Sequence, residues 1–586
     1  MRVSKRREAA APPFDARAVD PEDAEDAGDA EDAEDAEDAG DAGRDAPGPR
    51  TDVRIEEDAP YYVRNFLSLI RCVHERYADL LSTDEKALIG QLQVLDPNAR
   101  RLFVRLICRK GPVFRCDRLD YPEIDVPGAI DSLAREKLLE RRPELAFGEL
   151  LELLTADELR GMLADLGASR MGRKAELIER LEDYALDVDL DAYVDWCAPS
   201  RREEMDLFRM LFFGNAEQSL TDFVLEELGI VRHERYSIDA AQRLFDDRES
   251  VEELARLYAL DEESKDYIES GDVEALGELR DRLWDHHEHP ELERKRSRIL
   301  NRIGAYFERQ KASDDAMTAY ARSGLPPARE RHARILVKLD DAPAALEMCQ
   351  EILRNPHDEF EERFALEFGA RIRGEKRQRP GTVPSRTLWL ASVPVWPVEQ
   401  IAAWQLENEG WCAHYVENHL LRALFGLAFW DVIFHPLKGV FHHPYQHGPA
   451  DLFRTEFREA RASLIEARLD EIATGEIEPI LDTYDEKQGL ANALVNWRHL
   501  DRDLVSRAIE CIPGHHLAAI FDRLSRDLAR YRSGFPDLLL LDPVGSRYKL
   551  VEVKGVGDRL QVHQRRWIDH FLKYHIPVEI VRVVWS

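Results

Sequence analysis

Residues 534–572 read GFPDLLLLDPVGSRYKLVEVKGVGDRLQVHQRRWIDHFL, and this stretch decides the fold of the C-terminal region. FPDLLLL (535–541) is a short apolar run opened by a Pro-Asp pair, DPVG (542–545) has turn chemistry, and RYKLVEVK (547–554) alternates strongly. A helical period follows over DRLQVHQRRWIDHFLKYH (558–575), and PVEIVRVVW (577–585) closes with another strand. The order is a hairpin, a crossover helix and a returning strand. Alternation puts Tyr548, Leu550, Glu552 and Lys554 on one face and Lys549, Val551 and Val553 on the other. Asp537, at the start of the first strand, can lie opposite that first face. Gln564 shares a helix face with Leu560, Trp567, Ile568 and Phe571, which points this polar residue back toward the acids.

Two carboxylates and a lysine converging at a sheet edge suit a hard divalent cation. Mg²⁺ takes oxygen ligands, keeps several waters and is commonly held by one or two carboxylates with substrate phosphate oxygens. Asp537 and Glu552, with the Val553 carbonyl, would supply those ligands. Lys554 would orient the attacking water and stabilise the charge that builds on phosphorus-bound oxygens. The reaction class is phosphodiester hydrolysis. A lone Glu-x-Lys is ordinarily a surface ion pair; here the Pro-Asp start, the fifteen-residue spacing from Asp537 to Glu552, the Glu-Val-Lys strand and the helix with Gln564 and Trp567 agree on one geometry.

The 586 residues imply several packed units, with 44% hydrophobic and 33% charged residues. No run of 18 apolar residues is present and the basic N-terminus lacks an apolar stretch behind it, so a membrane-embedded or secreted protein is not expected. Seven scattered cysteines without a C-x-x-C pair argue against a disulfide framework or a Cys-rich zinc site. The formal net charge of −33 disfavours a nucleic-acid partner only as a sum. Residues 1–58 carry 20 acids against 8 bases, whereas residues 520–586 carry 12 bases against 8 acids. The C-terminus is a basic island. The AED/AGD repeats before residue 58 read as a disordered acidic tail that either solubilises or competes with DNA for basic surface.

From Tyr61 the pattern is helical, and RRLFVRLICRKGPVFRCDRLDYPEI (100–124) suits a winged-helix-like module over 59–147. LTADELRGMLADLGASRMGRKAELIERL (154–181) gives two short helices around Gly167, with Arg173 and Lys174 opening the second. It resembles the SAP module, a small DNA-binding helical unit, over 148–190; an ordinary helical hairpin is the plainer alternative. Residues 191–385 read as a tetratricopeptide-like helical-repeat scaffold of near ~34-residue pairs. Arg329 and Arg331 in this region either hold a phosphate or open an ordinary charged helix. RGEKRQRPGTVPSRT (373–387) is linker-like and leads into a final domain over 386–586.

The motifs Gly-x-Pro-Asp, Glu-Val-Lys-Gly, Asp-Arg-Leu and Gln-x-x-Trp resemble the VRR-NUC branch of the PD-(D/E)xK nucleases. VENHLLRALFGLAFWDVIF (416–434) and DLFRTEFREARASLIEARL (451–469), with the upstream modules in the same order, extend the resemblance to the Fanconi-anaemia-associated nuclease family over about residues 60–586. The resemblance implies a multidomain, mostly α protein with winged-helix-like and SAP modules, a helical-repeat scaffold and a C-terminal α/β PD-(D/E)xK core. It implies a structure-selective DNA endonuclease cutting 5′ flaps, with 5′-to-3′ exonuclease action, in interstrand-crosslink repair. One or two Mg²⁺ or Mn²⁺ ions would serve it, on branched or flapped duplex DNA, in a monomer or weak dimer in the nucleoid-containing cytoplasm of a bacterium. A four-way-junction resolvase and a non-catalytic DNA-binding scaffold are the competing readings. On this resemblance Asp537, Glu552 and Lys554 take catalytic positions and Glu417 a further metal-site position.

The residues themselves place Glu417 on a helix face with Leu421, Leu424 and Ala428, where an acid is costly unless paired or metal-bound, or as an N-terminal acid favouring the helix dipole. Arg530, Arg532 and Arg559 match basic positions of the family and suit phosphate contacts. His563 replaces a lysine found in some relatives. His435, His442, His443 and His447 could bind zinc, but the prolines and glycines around them favour a loop near the DNA path.

Overall fold

A computed structural model of the chain describes residues 59–585 apart from 110, 186–187, 189, 191–192, 221–222, 224–231, 376–380, 392–395 and 543. The acidic tail expected over 1–58 lies outside the described residues. Helices Tyr61–Tyr77, Thr83–Val94, Pro97–Ile107 and Val126–Arg135 bury Phe66, Ile70, Leu92, Phe103 and Leu133 in one core. Their starts are written locally. Ser82 and Glu85 form a reciprocal capping box, and Asp96 accepts from Ala99 N just ahead of a helix opened by Pro97.

A small antiparallel sheet packs beside them, built from β1 (Phe114–Arg115), β2 (Leu139–Arg141) and β3 (Trp196–Pro199), with β3 central. The SAP-like pair, Ala156–Asp165 and Lys174–Glu182, lies between β2 and β3 in the chain and closes its own core on Leu159, Leu163, Leu177 and Leu181. The unit expected at 59–147 thus takes its central strand from residues 196–199. Helix Arg202–Phe213, expected to open the repeats, packs instead on Tyr61–Tyr77. Amphipathic periodicity records that a face is buried and not which element covers it, and the stacked helices begin at Arg248 and not at 191. Among the described residues, seven helices from Arg248–Ser270 to Glu359–Ile372 stack each on a neighbour in sequence, as a helical repeat does. No described helix is long and apolar enough to cross a membrane.

The C-terminal sheet holds β4 (Ser385–Leu390), β5 (Cys412–Tyr415), β6 (Leu538–Asp542), β7 (Arg547–Lys554) and β8 (Val578–Trp585) in the order β4-β8-β7-β6-β5. β8 is parallel to both β4 and β7, whereas β6 is antiparallel to β5 and β7. Alternation fixes this register. Leu539, Leu541, Tyr548, Leu550, Val578 and Ile580 face the crossover helix Val562–Lys573 and the helical body between β5 and β6. Leu538, Leu540, Val551, Val553, Val581 and Val583 face helix Val398–Glu407. A one-residue slip of β7 would send Leu550, Glu552 and Lys554 to the wrong side, exchanging apolar burial of roughly 2 kcal/mol per side chain for buried charge.

Candidate active site

Leu538 pairs with Val551, so the residue before β6, Asp537, lies across from Glu552 on the same face. Asp537 Oδ2 accepts from Val553 N at 2.7 Å, which locks the carboxylate to the β7 backbone. Val553 itself turns its side chain into the opposite core. Glu552 is fully buried, and Lys554 Nζ lies 2.6 Å from its Oε1. The ammonium partners that one oxygen, and Glu552 Oε2 has no hydrogen-bond partner among the described residues.

Electrostatics follow from that burial. Desolvation pushes Glu552 up to about 7, aided by the neighbouring Asp537 charge and opposed by Lys554. Desolvation likewise pushes Asp537 up to about 6, against the Val553 N–H and Lys554, with Glu417 and Glu399 adding repulsion. Two buried acids that repel each other, one with an oxygen that nothing partners, are the donor set a hard cation relieves. Among the described residues no three His, Cys, Asp or Glu side chains already converge as a ligand shell, so waters and phosphate oxygens would have to complete it. The residues fit a divalent cation held through few protein ligands.

Glu417 arrives by a different route from the one expected. It lies in the turn after β5, three residues before helix Leu420–Ala428, and so shares no helix face with Leu421. Val416 N donates to the Asp537 carbonyl at 2.9 Å, bringing the turn alongside the Pro-Asp segment. Asn418, at φ 53°, accepts from Gly534 N at 2.8 Å and Phe535 N at 3.3 Å through its side-chain oxygen. Asn tolerates this left-handed conformation better than most residues. Tyr415 donates its hydroxyl to the Glu417 carboxylate.

Gln564 caps its own helix: its Oε1 accepts from Gln561 N at 3.0 Å, and Leu560 precedes the helix. It contributes to the site through packing. A Cβ on Gly534, which has φ +90°, would meet the His563 ring at 2.5 Å and Gln564 N at 3.2 Å, so only glycine lets the helix start approach the Pro-Asp loop. Trp567 Nε1 donates to the Tyr531 and Ser533 carbonyls, both at 3.1 Å, and ties that loop to the crossover helix.

With this geometry in view, comparison with known proteins is decisive. The VRR-NUC domain matches residues 473–585, the FAN1 HTH domain 60–140 and the SAP domain 150–185. A Fanconi-associated nuclease 1 homolog of Pseudomonas aeruginosa is 34% identical over 544 residues, covering 90% of this chain and 96% of that protein. The chain belongs to the Fanconi-associated nuclease 1 family. The homolog of rice is 27% identical over 90% of this chain and 63% of its own length. The crystal structure of paFAN1 bound to 2nt 5′-flap DNA with gap superposes with a TM-score of 0.79 at 32% identity, over 91% of this chain and all of that one. The complex with 1nt 5′-flap DNA gives 0.77.

Within this Fanconi-associated nuclease the expected DNA-contact residues divide. Arg173, Arg532 and Arg559 are exposed and make no ion pair with a described residue. Lys174 is drawn back to Glu152, 2.9 Å from its carboxylate. Arg530 pairs with Asp358 at 3.1 Å and lies 4.1 Å over the Phe360 ring, joining the last repeat helix to the nuclease core. Arg329 grips Glu361 in a bidentate pair at 2.5 and 2.9 Å, and Arg331 pairs with Glu308 at 2.8 Å. The guanidinium groups of Arg329, Arg331 and Arg530 thus already have carboxylate partners that a phosphate would have to displace. His442 and His443 are buried, with His443 stacked on Phe212 at 4.6 Å, so half of the histidine segment is core and not a surface loop.

Two site neighbours, and Arg422 beside Arg532, escaped the sequence reading. Asn418 and Glu399 carry no distinguishing local pattern. Arg422 does, as the single charge within the apolar run Leu420–Phe429. Burial, and then the Arg532 charge, hold its guanidinium below the usual value, and it makes no ion pair with a described residue.

Proposed function

We propose that this chain is a structure-specific DNA nuclease that cuts phosphodiester bonds near 5′-flap junctions, with 5′-to-3′ exonuclease action, in interstrand-crosslink repair. The carrying observation is the buried Asp537–Glu552 pair with Lys554 beside it at the end of β6 and β7, in a chain of this family. The flap-bound paFAN1 complexes support the substrate class.

Asp537, Glu552, Glu417 and the Val553 carbonyl are the groups that would hold Mg²⁺ or, in its place, Mn²⁺. A bound cation polarises the scissile phosphate and lowers the pKa of a coordinated water. The Val553 N–H keeps Asp537 fixed in the rotamer that faces Glu552. Lys554 would orient the attacking water and offer its charge to the developing oxyanion. Arg422 and Arg532 steady the flanking phosphates, and the cut leaves 5′-phosphate ends. Arg173 and Arg559 engage duplex phosphates further away. The protein works on the bacterial nucleoid.

Cleavage of end-labelled 5′-flap, 3′-flap, four-way-junction and plain duplex DNA in Mg²⁺ tests the substrate class. Preferential cutting beside the 5′-flap junction is expected. Preference for the four-way junction would replace this reading with a resolvase, and binding without cutting in every metal would replace it with a scaffold.

A further inference from the structure

The nuclease face of the C-terminal sheet continues past the acids. β7 pairs Glu552 with Ile580 and Lys554 with Arg582; β8 in turn pairs Arg582 with Thr387 and Val584 with Trp389. Directly aligned residues of neighbouring strands point the same way, so Glu552, Lys554, Arg582, Thr387 and Trp389 share one face. The crossover helix covers that face over Leu550, Val578 and Ile580, whereas Thr387, Arg582 and Trp389 beyond them are exposed. Arg582 is exposed and makes no ion pair with a described residue, and Trp389 is 69% exposed.

We propose that Trp389 and Arg582 form a platform on which one nucleobase of the DNA strand leaving the acidic site stacks, with Arg582 on the adjoining phosphate. This inference rests on the nuclease reading above and adds a contact to it. Strand spacing of about 4.8 Å and a two-residue rise of about 6.6 Å put Trp389 roughly 12 Å from Lys554. That separation is about three to four nucleotides at ~3.4 Å each, so one continuous strand reaches both.

The surroundings favour a nucleic acid over a second protein surface. Around Trp389 the exposed residues of the same face are Thr387 and Arg582, with Val584 as its directly paired apolar neighbour; Ile580, further along, is buried under the crossover helix. An oligomer seam wants a contiguous apolar patch depleted of charge. A base wants an aromatic plane, and its phosphate wants an unpaired guanidinium.

The test uses the full chain and 5′-flap DNA carrying 2-aminopurine at successive positions within five nucleotides of the junction, held in EDTA so that the DNA is bound and uncut. Wild type and Trp389→Phe are expected to quench the probe at one or two adjacent positions. Trp389→Ala should lose that quenching and bind about tenfold more weakly. Arg582→Ala should lower the salt slope of binding by about 1. Unchanged quenching and affinity in Trp389→Ala would overturn the proposal. So would an altered sedimentation coefficient in Trp389→Ala with flap affinity intact, which would make the patch a self-association surface. Cutting by wild type in Mg²⁺ is read separately: Trp389-dependent quenching without any cutting would sink the nuclease reading and leave the platform standing, and cutting without such quenching would do the reverse.

Discussion

Glu552 is a carboxylate shut off from solvent, beside a second buried acid, with one lysine as its partner. Such a pair weakens the fold, and the repulsion is lifted when a cation binds or one charge is removed. Asp537→Asn keeps an oxygen for the Val553 N–H and removes a charge. It is expected to raise the unfolding midpoint by the equivalent of about 1 kcal/mol while lowering cleavage at least ~1000-fold. Added Mg²⁺ or Mn²⁺ should raise the midpoint of the wild type and leave this variant nearly unmoved, as linkage requires. Equal metal-induced shifts in both proteins would remove Asp537 from the ligand set.

At the scale of elements, the hairpin, crossover helix and returning strand were readable because strict alternation and a helical period occupy adjacent segments of one short stretch. Asp537 opposite Glu552 followed from the same alternation. The turn carrying Glu417 was not readable. LLRALFGLA has a clear apolar face, and nothing local shows that the helix stops short of Glu417 so that Asn418 can bind the Gly534 and Phe535 amides. Likewise FHHPYQH has the composition of a loop, but tertiary packing buries its two central histidines. That burial makes a stability prediction. Burial, and then the Arg76 charge, hold His442 down at about 3, with Glu291 opposing and Arg454 adding to the shift. Its folded value lies below its unfolded value of 6.5, so below about pH 6.5 the unfolded chain takes up a proton that the fold refuses. Between pH 7 and pH 5 this residue alone should cost the fold about 2 kcal/mol. His442→Gln should flatten the dependence of the urea midpoint on pH over that window; identical slopes would show that His442 titrates normally.

Across the whole molecule, the order of winged-helix-like, SAP-like, repeat and nuclease parts was legible from composition and motif, whereas the long-range pairing of strands was not. β3 reaches back from residues 196–199 to join β1 and β2, a non-local pairing that no local pattern encodes. The same blindness affected charge. Arg173 and Arg329 look alike in sequence, yet Arg173 is exposed and Arg329 is clamped on Glu361. Arg173→Ala should therefore weaken duplex binding and reduce the slope of log affinity against log salt by about 1, with the fold unchanged. Arg329→Ala should leave that slope alone and lower stability by about 3 kcal/mol, because buried Glu361 loses its cation and keeps only the His357 N–H. The reverse pattern would place the DNA on the repeat helices.

The central claim is that buried acids at the end of β6 and β7 cut DNA through a divalent cation. Single-turnover cleavage of a 5′-end-labelled flap, comparing wild type with Asp537→Asn in Mg²⁺, Mn²⁺ and EDTA, tests it most directly. Cutting by wild type in either metal, none in EDTA and none by Asp537→Asn, with both proteins binding the flap equally, is the predicted result. Cleavage that survives either EDTA or the substitution would contradict it.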